Sequence, residues 1–304
     1  MSSTLTEQQK TGFQELAAFF AKGLRTPILR RPDEYGLKFE DVFFPSYDGV
    51  RLEGWFIPAK SNKLVICNHF MPGNRYGYAG HLKPYNSFGG FEVNFLPQYK
   101  ALHDAGYNVL CYDLRNHGLS ADGNGRTVGI GILEYRDVIG SLIYANSRED
   151  TKNMEKSLLS ICLGANSTIV AMHKHPEFFE EIRSMIAVQP ISTRAFVQKA
   201  AETANVSKNE AVEVFEETLL ETSGFKVDEL SPLEYAKSVK VPTKVFQVRN
   251  DPLTEISDTQ EIFSRFSSKE KEFYFIEGAD QRFQGYNFLS ENPQHMLEWF
   301  DKYA

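Results

Sequence analysis

The chain has 304 residues, 42% of them hydrophobic and 13% aromatic, enough for a sizeable buried core, so disorder of the whole chain is excluded. Lys and Arg number 33 against 40 Asp and Glu, a formal net charge of −7 with no basic block, so neither a nucleic-acid footprint nor a patch for anionic membranes is encoded. The partner expected is a moderately apolar small molecule or a protein, a second copy of the chain (a homodimer) included.

Phe13, Leu16, Ala17 and Phe20 fall at helical spacing and predict one amphipathic helix in the first 25 residues, closed off by Pro27. Gln14 and Glu15 interrupt its apolar stretch, which argues against a signal peptide or membrane span and for a cytoplasmic protein. Residues 1–40 thus read as a helical extension bracing the rest. Runs at 41–46 and 50–58 flank Tyr47-Asp48-Gly49, where Asp-Gly supplies the φ > 0 residue of a tight turn, so an antiparallel hairpin follows. From Lys63 onward, β-like runs at 64–68, 108–113, 158–162, 185–189, 243–249 and 272–276 alternate with helical segments at 134–144, 164–173, 257–266 and 293–303. That alternation predicts a mostly parallel, doubly wound sheet. Residues 191–240 depart from it, with helical spacing at Phe196, Ala200, Ala201 and at Val212, Phe215, Leu219, and read as a helical cap inserted over the sheet edge. Between Phe70 and Phe95, Gly, Pro and aromatic residues, Tyr76 among them, crowd together as a pocket wall or a packed surface elaboration. Cys67, Cys111 and Cys162 form no metal spacing and no disulfide framework, so reduced thiols and no metal or cofactor are expected.

Four stretches carry chemistry. In Ser160-Ile161-Cys162-Leu163-Gly164 a buried strand runs into a helix with small residues two before and two after the cysteine, the spacing a nucleophile on a sharp strand-to-helix turn requires. Here the chain resembles the α/β-hydrolase superfamily, and Cys in place of Ser is similar to its dienelactone-hydrolase-like members. Asp113-Leu114-Arg115-Asn116-His117-Gly118-Leu119-Ser120 resembles the strand-plus-turn D-x-R-G-H-G-x-S of these hydrolases, Asn116 replacing the first Gly. Asp113 and Arg115 are expected to bond each other and the backbone, which makes the motif structural and His117 a poor base. His69-Phe70-Met71-Pro72-Gly73 stands where the superfamily has its oxyanion loop, with Phe70 in the usual place of Gly. The resemblance implies that a Met71 amide and the Leu163 amide bind developing negative charge on a carbonyl oxygen. Arg75 is either solvated or aimed at an anionic substrate. The resemblance places Asp251 as the acid that orients a histidine, the alternative being an Asx turn ahead of Pro252, yet Gln281 sits where the resemblance puts that histidine, in Gly278-Ala279-Asp280-Gln281-Arg282. His69, His173, His175 and His295 are weak substitutes.

A glutamine accepts no proton at neutral pH, whereas a free thiol has a pKa near 8.5 that falls at a helix N-terminus. The chemistry implied is cysteine-dependent acyl handling of a thioester, activated ester or lactone, by hydrolysis, transfer or cyclisation, since no acid helps an amine leave and no base activates water. The fold expected is an α/β-hydrolase core at 41–190 and 241–304 with the cap at 191–240. Cys162, Asp251 and Gln281 form its catalytic group, and Phe70, Met71, Leu163, Arg75, Tyr76, Arg282 and Tyr286 its oxyanion and substrate-binding groups. The competing expectation is a non-hydrolytic protein, a cyclase, isomerase or binding protein, in which Asp280, Gln281, Arg282 and Tyr286 hold a ligand without a covalent step.

Overall fold

Strands covered on both faces need apolar residues at successive positions rather than at alternate ones, and the middle of this chain supplies them. A computed structural model describes residues 5–304. Its strands are β1 (Glu40–Pro45), β2 (Arg51–Ile57), β3 (Lys63–Asn68), β4 (Gly77–Tyr78), β5 (Val93–Asn94), β6 (Asn108–Tyr112), β7 (Glu155–Ile161), β8 (Ile182–Val188), β9 (Thr243–Val248) and β10 (Lys271–Ile276). An eight-stranded sheet has the order β1-β2-β6-β3-β7-β8-β9-β10, while β4 and β5 pair separately. Every residue of β6 and β9 is buried. On the edge strand β1 burial alternates instead: Val42 and Phe44 point into the core and Phe43 points out. The expected hairpin is β1-β2, antiparallel and closed by a turn in which Gly49 has φ +88°. β2 is also antiparallel to β6, and from β3 through β10 the neighbours run parallel.

The helices are α1 (Glu7–Lys22), α2 (Leu96–Asp104), α3 (Tyr135–Ser147), α4 (Leu163–Lys174), α5 (Thr193–Thr203), α6 (Lys208–Ser223), α7 (Ile256–Ser264), α8 (Arg282–Glu291) and α9 (Gln294–Tyr303). From β3 the chain crosses through α2 to β6 on one side, then returns through α3 to β7 on the other. Right-handed crossovers in opposite directions place α2 and α3 on opposite faces of the sheet. They also leave a crevice beyond the carboxyl ends of β3 and β7, where the strand order reverses and open α/β sheets bind ligands. Asn68 ends β3 opposite Ser160 of β7, so the Ser-x-Cys-x-Gly stretch opens at that crevice.

Two segments cover it. Between β8 and β9 lie α5 and α6, and α1 packs against α6 through Phe20 and Phe215, ring centroids 5.7 Å apart. A capping box between Thr6 and Gln9 starts α1, and the Leu5 amide donates to Glu210 of α6. Thus the N-terminal helix and the insertion meet over the carboxyl end of the sheet.

The D-x-R-x-H-G-x-S turn is a rigid plug in which the expected bonds to backbone form but the pairing of Asp113 with Arg115 does not. Asp113 accepts from the amides of Arg75 and Leu119, and Arg115 binds Asp137 and Asp48 rather than Asp113. Asn116 has φ +68°, which explains an Asn where Gly is usual: it is among the side chains best tolerated in that region.

Candidate active site

Cys162 stands between β7 and α4 with φ +49° and ψ −105°, a conformation that costs a non-glycine residue about 1–3 kcal/mol and persists only where its surroundings enforce it. Its amide donates to the Val188 carbonyl at 2.7 Å and its carbonyl accepts from Asn166 at 2.9 Å. Beneath it, Asn68 donates to Ser160 Oγ at 2.9 Å and accepts from Tyr112 Oη at 2.6 Å, tying the elbow to β3 and β6. A Cβ on Gly164 would lie 2.4 Å from the Asn68 carbonyl oxygen, so the position admits no side chain. The glycine two residues after Cys162 is therefore demanded by the approach of β3.

The loop after β3 is sewn to the elbow by the Gly164 amide, which donates to the His69 carbonyl at 3.0 Å. Among the described residues, neither the Leu163 nor the Met71 amide donates to a protein acceptor, and both residues border the cavity at Cys162. Phe70 stacks on Tyr286, centroids 4.2 Å apart, and so packs the loop against α8.

Facing the thiol across the cavity is Arg282, the first residue of α8. It is fully buried and donates to Asp251 Oδ2 at 2.6 Å, Thr254 Oγ1 at 3.0 Å, Tyr286 Oη at 2.9 Å and the Gln189 carbonyl. Asp251 also accepts from Gln247, Thr254 and the Leu253 amide. Burial works against the Arg282 charge, but Tyr286, Asp251 and Cys162 outweigh it and hold the guanidinium well above its ordinary range. The Tyr286 hydroxyl is also pushed up, chiefly by burial, with Cys162 adding to the rise and Arg282 opposing it. Such an array keeps a positive charge beside the Cys162 sulfur, and it contains no proton acceptor of the histidine kind.

The expected site residues fall into two groups. Cys162, Leu163, Met71, Arg282 and Tyr286 border one cavity, Phe70 packs behind it, and Asp251 reaches it through Arg282. Gln281 does not take the histidine's place: it precedes α8, is exposed, and its carboxamide oxygen lies against Gly89. Asp280 is exposed as well. Arg75 is neither solvated nor at the cavity; it is buried over Trp55, 4.8 Å from the ring centroid, with Nε 3.8 Å from Asp113. Tyr76 is turned to Glu92, its hydroxyl donating at 2.6 Å. His295 packs on Tyr274 and Phe288.

What the sequence reading missed is the roof. Phe19 and Phe20 of α1, Phe88 and Phe196 line the cavity at Cys162, whose volume is about 40 Å³, room for roughly three waters.

Beside the loop after β3, His69 and His117 are buried with ring centroids 5.2 Å apart. His69 Nδ1 donates to the Phe70 carbonyl and its Nε2 accepts from the Leu114 amide, which fixes a neutral ring. His117 Nε2 has no partner among the described residues. Burial lowers His69 to about 4 and His117 to about 3. Because the folded values lie below the unfolded 6.5, the unfolded chain binds more protons between pH 6.5 and 4, and this contribution to stability is lost as pH falls. Burial raises Asp113, and raises Asp137 to about 6, so those carboxyls act with the opposite sign and the histidine share must be isolated. From pH 7 to 5, His117→Gln is expected to lose less unfolding free energy than wild type, by up to about 2 kcal/mol in urea titrations. Equal losses would refute this.

No protein-family model and no curated protein matches the chain. Solved structures do. An esterase of Pyrococcus furiosus superimposes with a TM-score of 0.68 at 21% identity, covering 93% of this chain and 97% of that one. DcsB in complex with its substrate analogue gives 0.61 at 14% identity over 88% and 100%. A dienelactone hydrolase from Anabaena variabilis gives 0.53 at 16% identity over 88% and 99%. With the strand order, the elbow at the β3/β7 crevice and these superpositions together, the chain has the α/β-hydrolase fold.

Proposed function

We propose that the protein is a cysteine-dependent acyl-handling enzyme acting on a small apolar thioester, activated ester or lactone. The observation that carries the reading is Cys162 in its positive-φ elbow beside the buried Arg282–Asp251 pair. Likeness to an esterase and to a dienelactone hydrolase supports chemistry at an ester-type carbonyl.

In the mechanism proposed, the Cys162 thiolate, stabilised by Arg282, attacks the acyl carbon and the carbonyl electron pair moves onto oxygen. Leu163 and Met71 amides receive that oxyanion. Collapse breaks the bond to the leaving group, which departs as a thiolate or stabilised alkoxide and needs no proton in the transition state. Asp251 is a positioning residue that holds the guanidinium in place. Arg282 cannot take a proton from water, so the acyl-cysteine is attacked faster by a thiolate, amine or internal nucleophile than by water, which favours transfer or cyclisation over hydrolysis.

Intact-mass spectrometry after brief incubation with acyl thioesters and activated esters tests this. An acyl adduct on wild type and none on Cys162→Ala is expected; turnover by Cys162→Ala at the wild-type rate would overturn the nucleophile. The lack of a proton acceptor also favours a second reading, a pocket used without a covalent step. Ligand-dependent thermal stabilisation with no adduct on any substrate selects that one.

A further inference from the structure

We infer that Phe19 and Phe20 of α1 set the acyl length of the substrate and restrict it to an uncharged group of about two or three carbons. This rests on the acyl-handling reading above. Two adjacent rings of one helix border the cavity. Phe20 meets Phe196 at 4.9 Å and Phe215 at 5.7 Å, so it joins α1 to α5 and α6. Phe19 meets Phe88 at 5.6 Å, and Phe88 stacks on Phe283 at 4.7 Å and 5°, so it joins α1 to the aromatic loop and α8.

The helix is held at both ends. Its start is fixed by the Leu5 amide on Glu210. Past its end, Arg25 donates to the carbonyls of His117 and Ser120 and pairs with Asp122 at 2.6 Å. The two rings are thus a fixed wall, and the space they leave, about 40 Å³, holds about as many heavy atoms as an acetyl or propionyl group.

Charge narrows the class further. Among the described residues, Arg282 is the one cation bordering the cavity, and four of its five N–H donors are taken by Asp251, Thr254, Tyr286 and the Gln189 carbonyl. With that charge shared between Asp251 and the Cys162 sulfur, a carboxylate on the acyl group would find no further cation, so a malonyl- or succinyl-type group is disfavoured.

The experiment compares wild type, Phe19→Ala and Phe19→Trp, Phe19 being the half-buried ring of the two and the safer to change. Acylation of Cys162 by N-acetylcysteamine thioesters from acetyl to octanoyl is followed by intact mass. In parallel, Cys162 is labelled with iodoacetamide and with the bulkier N-phenylmaleimide and assigned by peptide mapping. The other cysteines are poor competitors, since burial pushes the Cys111 thiol up to about 12 and Cys67 well above its ordinary value. In wild type the short thioesters and the small reagent should dominate. Phe19→Ala should raise the octanoyl-to-acetyl ratio and the maleimide-to-iodoacetamide ratio by about tenfold or more, and Phe19→Trp should lower both. Unchanged ratios in folded variants would overturn the assignment. The labelling arm needs no acyl chemistry, so a shift there without any acyl adduct would sink the enzymatic reading and leave the wall in place.

Discussion

Cys162→Ser is expected to turn over acyl thioesters no faster than Cys162→Ala, at least about 10³-fold below wild type. A serine placed on the same elbow would keep its φ, its helix N-terminus and both oxyanion amides. What it would lack is a base. A hydroxyl must surrender its proton as it attacks, and the side chain facing it is Arg282, which is already fully protonated and paired with Asp251. A thiol needs no such help once ionised, and a guanidinium beside it favours the ionised form. In a hydrolase with histidine at this place, serine and cysteine are both workable; with arginine only cysteine is. The measurement is kcat/KM for acetyl thioester consumption by the three proteins, with melting curves to show that each is folded. A serine variant within tenfold of wild type would mean that another group accepts the proton, and the Arg282 assignment would fall.

The architecture was legible because its signals are local. Unbroken apolar runs at β6 and β9, Asp-Gly at the hairpin and the small residues around Cys162 can each be read within a few residues, even though the contact Gly164 answers, with Asn68 of β3, lies far off in the chain. Residue pairs distant in sequence were not legible in the same way. Gln281 and Arg282 are adjacent at the start of a helix, where each step turns the side chain by about 100°, so which of them faces Cys162 depends on how α8 is rotated. The answer is set by Tyr286 one turn on and by Asp251 on another element. Arg75 shows the same limit: nothing beside it announces that Trp55 and Asp113 bury its charge. Phe20 belongs to the apolar stripe that revealed α1, but Phe19 lies off it, and the stripe does not say what the helix covers.

Arg282→Met should destabilise the fold by about 3–5 kcal/mol, because it strands a buried carboxylate at Asp251. Asp251→Leu alone should cost a similar amount by stranding the guanidinium. Combined, the two changes remove both charges and should recover most of the loss, since a buried pair is worth little more than apolar side chains of like volume once the desolvation of each ion is counted. Chemical denaturation of the four proteins measures this, and costs that simply add would mean the pair is not coupled. Reactivity separates structure from chemistry. If Arg282 stabilises the Cys162 thiolate, the refolded double variant should still alkylate at Cys162 about tenfold or more slower than wild type at neutral pH, despite its recovered stability. Were stability and alkylation rate to recover together, Arg282 would be a structural partner of Asp251 and nothing more. Arg282→Lys sharpens the distinction: it keeps the charge but not the planar fork that reaches Asp251, Thr254 and the Gln189 carbonyl at once. Partial retention of thiol reactivity with a clear loss of stability is the pattern expected of a cation whose geometry serves the fold and whose charge serves the sulfur.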